Sequence, residues 1–274
     1  MISNQIMVIG GDGYVGRPFC KFLASRGYRV TTFDLKLDPA MDARNFKFDF
    51  SEFDYVYILA WDVGGSKYLY QRDAQFRQLD WNVKLLSNLL PQLSEGGVPF
   101  LFVSSQLAEE IDTVYGVTKR LGEVWTGLIG GGNVRLWNVY GGLEQVSQRS
   151  HVICDFVWQA LTSGEIRMIT TGEEMRQFVY MEDAHEALER AISLRLSQGP
   201  YDVTSFEWVS ILDVANAIAS ETDAKVIPGE IQGRTPITPI RGKVPGWSPK
   251  TSLEKGIRQV VELTRRSIDA QATC

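Results

Sequence analysis

Tyr115 and Lys119 stand four residues apart where a helical apolar pattern begins, which puts both side chains on one helix face. A phenol beside an ammonium group is a proton-transfer pair. The phenol has a reference pKa near 10, so it becomes a useful base at neutral pH only if nearby positive charge lowers that value by roughly 2–4 units. Each unit is about 1.4 kcal/mol, within reach of charges at close range in a dry cleft. The apolar run Phe100 to Val103 reads as a buried strand ending in Ser104-Ser105. A hydroxyl at that end can hold the same substrate oxygen; Ser105 is the candidate, with Ser104 as the alternative. Tyr-x-x-x-Lys by itself is a common accident, so its meaning depends on what else the chain places nearby.

That context is the opening stretch Gln5 to Gly16, QIMVIGGDGYVG. Ile6 to Ile9 read as a strand buried on both faces, and Gly10, Gly11, Gly13 and Gly16 then open a helix on which Phe19, Phe22 and Leu23 recur at helical spacing. The first turn of a helix carries unpaired N–H groups and partial positive charge. Glycines let a pyrophosphate reach them, so strand, glycine turn and helix predict a dinucleotide site. A second strand, Arg29 to Phe33, ends in Asp34, whose carboxylate can accept from an adenosine ribose hydroxyl pair and would repel a 2′-phosphate. NAD is therefore favoured over NADP, with Arg17 and Lys36 near enough to keep NADP as the alternative. An oxidised nicotinamide ring would also help to lower the Tyr115 phenol.

The 274 residues are 44% hydrophobic and 22% charged, enough for one large α/β core. The net charge of −5 argues against nucleic acid or an anionic membrane as partner. No apolar run approaches the roughly 20 residues of a membrane span, and a strand starting almost at residue 1 predicts a cytoplasmic protein without a leader. Cys20, Cys154 and Cys274 imply neither a disulfide framework nor zinc, and His151 and His185 are too few for a histidine-rich metal site.

Along the chain, Phe46, Phe48 and Phe50 alternate with Lys47 and Asp49, which predicts a short third strand. Asp49 has two readings there, an adenine contact or a solvated strand-end carboxylate. Tyr55 to Ala60 reads as the next buried strand, ending in Trp61-Asp62-Val63-Gly64-Gly65, where glycines permit close backbone approach. Phe76, Leu79, Val83, Leu86, Leu89 and Leu90 mark a long amphipathic helix containing Asn82, either functional or a buried cap for neighbouring backbone. Asn133 to Tyr140 reads as one strand. Strands alternating with helices predict an α/β fold, a doubly wound parallel sheet with ligands at the carboxyl ends of its strands. Residues past Gly141 read as pieces too small for a core of their own, a cap over the sheet's active edge.

The set GGDGYVG, Asp34, FVSSQ, YGVTK, Arg135 to Gly141, RQFVYMEDAHEAL and Gly246 to Leu253 resembles the extended short-chain dehydrogenase/reductase family, in its nucleotide-sugar epimerase/dehydratase branch. The resemblance covers nearly the whole chain. It implies a Rossmann-type NAD(P) domain over 1–145 and a small C-terminal α/β substrate-binding region over 146–274, part of which returns to the sheet. It implies Tyr115 as general base, Lys119 as its activator and ribose anchor, and Ser105 as the positioning hydroxyl. Cofactor contacts are implied at Gly10, Gly13, Tyr14, Val15, Gly16, Asp34, Asp49, Leu59, Ala60, Tyr115 and Lys119. The substrate, a nucleoside-diphosphate sugar, is expected at Gly64, Ser105, Gln106, Asn138 and Arg176. Arg176 suits two phosphate oxygens, though an exposed hairpin arginine is the plain alternative. Trp61 to Gly65, Trp81-Asn82 and Ser150 to Ile153 are similar to GDP-fucose synthase and GDP-mannose 3,5-epimerase. That likeness offers His151 an acid/base role, against its plain reading as a helix-start histidine. A homodimer across the Ala74–Leu93 and Tyr115–Ile129 helices would fit the family.

Two departures narrow the expected chemistry. Leu107 stands where those epimerases carry a cysteine, and Gln106-Leu107 where 4,6-dehydratases carry Asp-Glu. Only nine residues separate Ser105 from Tyr115, shorter than the family's usual connection. The expected reaction is hydride and proton transfer through a transient keto sugar at C4, giving an NAD-dependent epimerase. The alternatives are a net dehydrogenase or 4-keto-reductase, and a cofactor-binding sensor without catalysis.

Overall fold

The computed structural model describes residues 4–63, 68, 71–143, 147, 150–236 and 238–272. Strand β1 (Gln5–Ile9) sends alternate side chains to opposite faces, as the pleat requires. Ile6 and Val8 join one hydrophobic cluster with Phe19 and Leu23; Met7 and Ile9 join another with Leu86 and Leu90. The strand is therefore buried on both sides. β1 is followed by α1 (Gly16–Ser25), β2 (Arg29–Phe33), β3 (Tyr55–Ile58), α2 (Arg72–Gly96) and β4 (Phe100–Ser105). A single 3-10 turn, Gln106–Glu109, leads to α3 (Val114–Leu128) and β5 (Gly132–Leu136).

Among the described residues these five strands and β10 (Tyr201–Val203) form one parallel sheet in the order β10-β5-β4-β3-β1-β2. Strand order reverses at β1, so a crevice opens above its carboxyl end, where the glycine loop starts. The fold class is the expected doubly wound α/β sheet.

The sequence pattern misleads at Phe46 to Phe50, which forms no strand. Side chains of α2 take the place of a ladder: Phe48 N donates to Gln92 Oε1 at 2.8 Å, while Asn88 Nδ2 and Gln92 Nε2 donate to Phe46 O at 2.9 and 3.1 Å. The phenylalanines still stack against Phe33 and one another. β2 is thereby left as the sheet's edge, and Tyr55–Ile58 is the third strand in the chain.

The single strand expected over Asn133 to Tyr140 breaks at Trp137. β5 stays in the main sheet, whereas β6 (Asn138–Tyr140) swings away to pair with β9 (Phe178–Tyr180). α4 (Val152–Ser163), β7 (Glu165–Arg167), β8 (Met175–Arg176), β11 (Val209–Ser210), α6 (Ile211–Thr222), β12 (Lys225–Ile227) and α7 (Leu253–Ala272) lie beyond it. Contrary to expectation they do pack a cluster of their own, around Val157, Val214, Ile218, Ile257 and Val260. α5 (Met181–Leu194) instead packs with the main sheet through Ala184, Ala187 and Leu188. No helix of the described residues is long and apolar enough to cross a membrane.

Because Gln92 substitutes for strand pairing, Gln92→Ala should lower stability by about 1–3 kcal/mol through an orphaned amide. Urea unfolding with an unchanged m-value checks this; an unaltered midpoint would contradict it.

Candidate active site

The glycine loop is a cradle with no room for side chains. Gly10 has φ +87°, and a Cβ there would stand 2.2 Å from the Ala60 nitrogen; one on Gly16 would stand 2.2 Å from the Gly10 carbonyl. α1 begins with no side-chain cap and no acidic residue in its first turn. Arg17 N already donates to the Gly13 carbonyl at 3.0 Å and Pro18 carries no N–H, so the place for an anion is the glycine turn that leads into Gly16. Asp34 closes this end, accepting from Asp12 N and Lys36 N at 2.9 Å each. Arg17 is forked onto Asp12 by two 2.7 Å bonds, so its charge is already engaged. A dinucleotide fits this set.

The loop opens into a cavity of about 950 Å³, at the upper end of ordinary ligand pockets. Gly10, Gly13, Tyr14, Val15, Gly16 and Asp34 line it together with Leu59 and Ala60. Ser105, Gln106, Tyr115 and Lys119 also line it, as do Asn138, His151 and Arg176. Asp49 is not among them. It is exposed and accepts from Ser51 N, because burial of Phe48 and Phe50 turns the residue between them to solvent. In the free protein Asp49 thus matches its solvated reading, and nothing among the described residues brings it to the cavity where the adenine contact was expected. Gly64 lies outside the described residues.

At the centre, α3 starts with Thr113, whose Oγ1 accepts from Gly116 N at 3.0 Å. A Cβ on Gly116 would stand 2.1 Å from the Glu110 carbonyl, so only glycine lets the short connection close onto the helix. Tyr115, Lys119 and Ser105 are all buried. Burial pushes the Tyr115 phenol up to about 12, with the Ser105 hydroxyl working in the opposite direction. The anticipated lowering by Lys119 is not found in the free protein. The amine donates to the Val103 carbonyl at 2.7 Å and lies 4.1 Å from the centre of the Trp61 ring, while burial brings it down to about 7 against the pull of Glu123.

His151 precedes α4 without capping it, and its ring stacks on Tyr14 at 5.3 Å. Asn138 Nδ2 donates to the Gln177 carbonyl at 2.7 Å and Arg176 Nη1 to Met175 O at 2.8 Å, each bracing the β8–β9 turn. Asn82 caps backbone, exchanging two bonds with Asp62. Sequence reasoning passed over Asp42, Arg44 and Arg77, which line the cavity around Trp81. The Arg44 and Arg77 guanidinium groups lie 3.8 and 4.3 Å from that ring's centre, with Arg44 forked onto Asp42. An Asp-x-Arg pair in a polar connection has no local signature; an arginine one helical turn before Trp81 was the only hint.

A model of the NAD dependent epimerase/dehydratase family matches residues 6–203. The chain belongs to that family. Across the family's NAD-dependent nucleotide-sugar enzymes, curated relatives include a UDP-N-acetyl-alpha-D-glucosaminuronate decarboxylase of Bacillus cytotoxicus, 22% identical over 96% of this chain and 98% of that one. UDP-glucuronic acid decarboxylase 4 of Arabidopsis thaliana is 23% identical over 96% of this chain and 69% of its own. Among solved structures, the NDP-hexosamine 5,6-dehydratase TunA superposes with a TM-score of 0.81 at 21% identity, over 96% and 98% of the two chains. MoeE5 in complex with UDP-glucuronic acid and NAD gives 0.78 at 22% identity, over 96% and 99%. These structural likenesses establish the shared fold.

Lys119 has a folded pKa near 7 against 10.5 unperturbed, so between those values the unfolded chain holds a proton that the folded one has lost. Stability from this group accordingly rises with pH across that window and is poorest below it. Lys119→Met should gain most over wild type at pH values below 7 and lose that advantage toward pH 10. Thermal unfolding across pH checks the trend, and a pH-independent difference would refute it.

Proposed function

We propose that this protein binds NAD and a nucleoside-diphosphate sugar and acts as an epimerase through a transient keto sugar, most simply at C4. The observation that carries the reading is the meeting of Tyr115, Ser105 and Lys119, with the Ser105 hydroxyl on the phenol and the Lys119 amine 5.9 Å from the centre of its ring, in the same cavity that the glycine loop and Arg176 line. NAD rather than NADP is supported by Asp34 at the end of β2 and by the engagement of Arg17 with Asp12. Bound NAD supplies a hydride acceptor and a positive ring. Tyr115 takes the hydroxyl proton as the C–H hydride leaves, while Ser105 holds the same oxygen. Lys119, carrying a proton, offsets the phenolate charge. Asn138 and Arg176 are the proposed neighbours of the diphosphate, and His151 is a candidate for a second proton transfer beside the sugar. Inversion would be complete when the ketone, presenting its opposite face, is reduced again and Tyr115 returns the proton to its oxygen.

A second reading, decarboxylation, is favoured by the activities of the curated relatives. When the carbon next to the new ketone bears a carboxylate, CO2 leaves with its bond electrons passing into the carbonyl. That step needs neither a cysteine nor a glutamate, and Leu107 and Gln106 supply neither.

The test is incubation with NAD and UDP-glucose or UDP-glucuronic acid, followed by NMR of the sugar and by NADH absorbance. A 4-epimer supports the first reading, CO2 with a pentose product the second, and neither product nor NADH from any nucleotide sugar defeats both. Tyr115→Phe should cost about 10²–10⁴ in kcat with NAD affinity kept; equal rates would remove the proposed base.

We also infer a homodimer. Val117, Leu121, Val124 and Leu128 form an exposed stripe along α3, beside exposed Phe76 and Leu79 on the adjoining α2. Two copies of this face would cover each other about a two-fold axis. Val124→Glu should convert the dimer to a monomer in sedimentation; a monomeric wild type would refute the inference.

A further inference from the structure

The connection from Ser105 to α3 is short, and it forms the cavity wall beside the candidate hydroxyl. Ser105 caps its 3-10 turn, with its Oγ accepting from Leu107 N at 3.3 Å. Glu109, the last residue of that turn, is gripped from two sides. From the sheet, Arg135 Nη1 donates to Oε1 at 2.7 Å. From the C-terminal region, Arg241 Nε and Nη2 donate to Oε1 and Oε2 at 2.9 and 3.0 Å.

Arg241 belongs to a strap that is itself tied down at both ends. Met175 N donates to Thr235 Oγ1 at 2.9 Å, and Arg241 N donates to Asp202 Oδ2 at 2.6 Å. Pro236 of this strap lines the cavity. The other oxygen of Asp202 accepts from Trp137 Nε1, and Trp137 also faces the cavity. Gln106 and Leu107 of the short connection line the same cavity as Pro236.

We propose that Arg241 is a positioning residue: by clamping Glu109 it ties the C-terminal strap to the turn that follows Ser105 and holds that turn in place. The role assigned to Ser105 rests on the proposed function, whereas the clamp itself does not. The Arg241 guanidinium, together with that of Arg135, holds the Glu109 carboxyl down at about 2, so the carboxylate stays charged between its two partners. A forked guanidinium fixes both oxygens of a carboxylate, which an ammonium group cannot do. Arg234 pairs with Asp112 at 3.7 Å between the same two segments, but both groups are largely exposed, so that contact contributes little.

Hydrogen exchange on the NAD-loaded full chain tests the clamp without any substrate. Arg241→Gln leaves Glu109 paired with Arg135, so the fold should hold. Exchange of the amides of 106–113 should quicken by about tenfold, with the rest of the chain and NAD affinity unchanged. Arg241→Lys should restore part of the protection, and Arg234→Gln should alter nothing. Unchanged exchange at 106–113 in Arg241→Gln, or a rise spread over the whole protein, overturns the clamp. With a nucleotide sugar that wild type turns over, Arg241→Gln should lower kcat about tenfold at near-constant KM; a loosened turn with wild-type kcat overturns the positioning role. If wild type turns over no nucleotide sugar, the proposed function fails and the exchange result alone decides the clamp.

Discussion

Arg135 sits on β5 with no exposed surface, and a guanidinium so placed must be paired or the fold loses several kcal/mol. Its main partner is Glu123, bound through two bonds of 2.6 and 2.8 Å. Glu123 also accepts from Ser104 at 2.7 Å, which locks the end of β4 to the middle of α3. Tyr115, Lys119 and Glu123 follow at four-residue intervals, so fixing one of them sets the rotation of the whole helix. Lys119 then reaches the Val103 carbonyl and Tyr115 lies against Ser105. A buried ion pair two turns from the phenol thereby determines which way the phenol faces.

The same helix face combines two costly burials, an amine and a phenol, in one apolar pocket of Trp61, Phe102 and Leu107. Without a ligand, each is pushed toward its neutral form. The phenol therefore stays neutral in the free protein, while the amine, at about 7, is divided between its two forms near neutral pH.

On the same face of the sheet, toward its β2 edge, the dense phenylalanine cluster shows how burial and pairing separate. Phe46, Phe48 and Phe50 satisfy the hydrophobic demand of a strand, while amides from α2 satisfy its hydrogen bonds. The backbone has no further need of a neighbour, and Asp49 faces solvent as a result.

Local pattern alone determined much of this protein. The four-residue apolar run before the glycines, the helical spacing of Leu86, Leu89 and Leu90 on α2, and the alternation of strand with helix are short-range features that carry their own demand for burial, although Phe76 and Leu79 of the same expected stripe lie exposed. The glycine loop, Asp34 and the Tyr115–Lys119 spacing were legible for the same reason. Tertiary structure decided what depends on partners far away in the chain. Whether alternating phenylalanines pair as a strand rested on Gln92 and Asn88, more than 40 residues on. Where the strand after Asn133 divides was set by Trp137 reaching Asp202, and the grip on Glu109 came from Arg241, 132 residues downstream. Charge and hydrogen-bond satisfaction can be met by any suitable group in space, so nothing in the nearby sequence names the one that meets it.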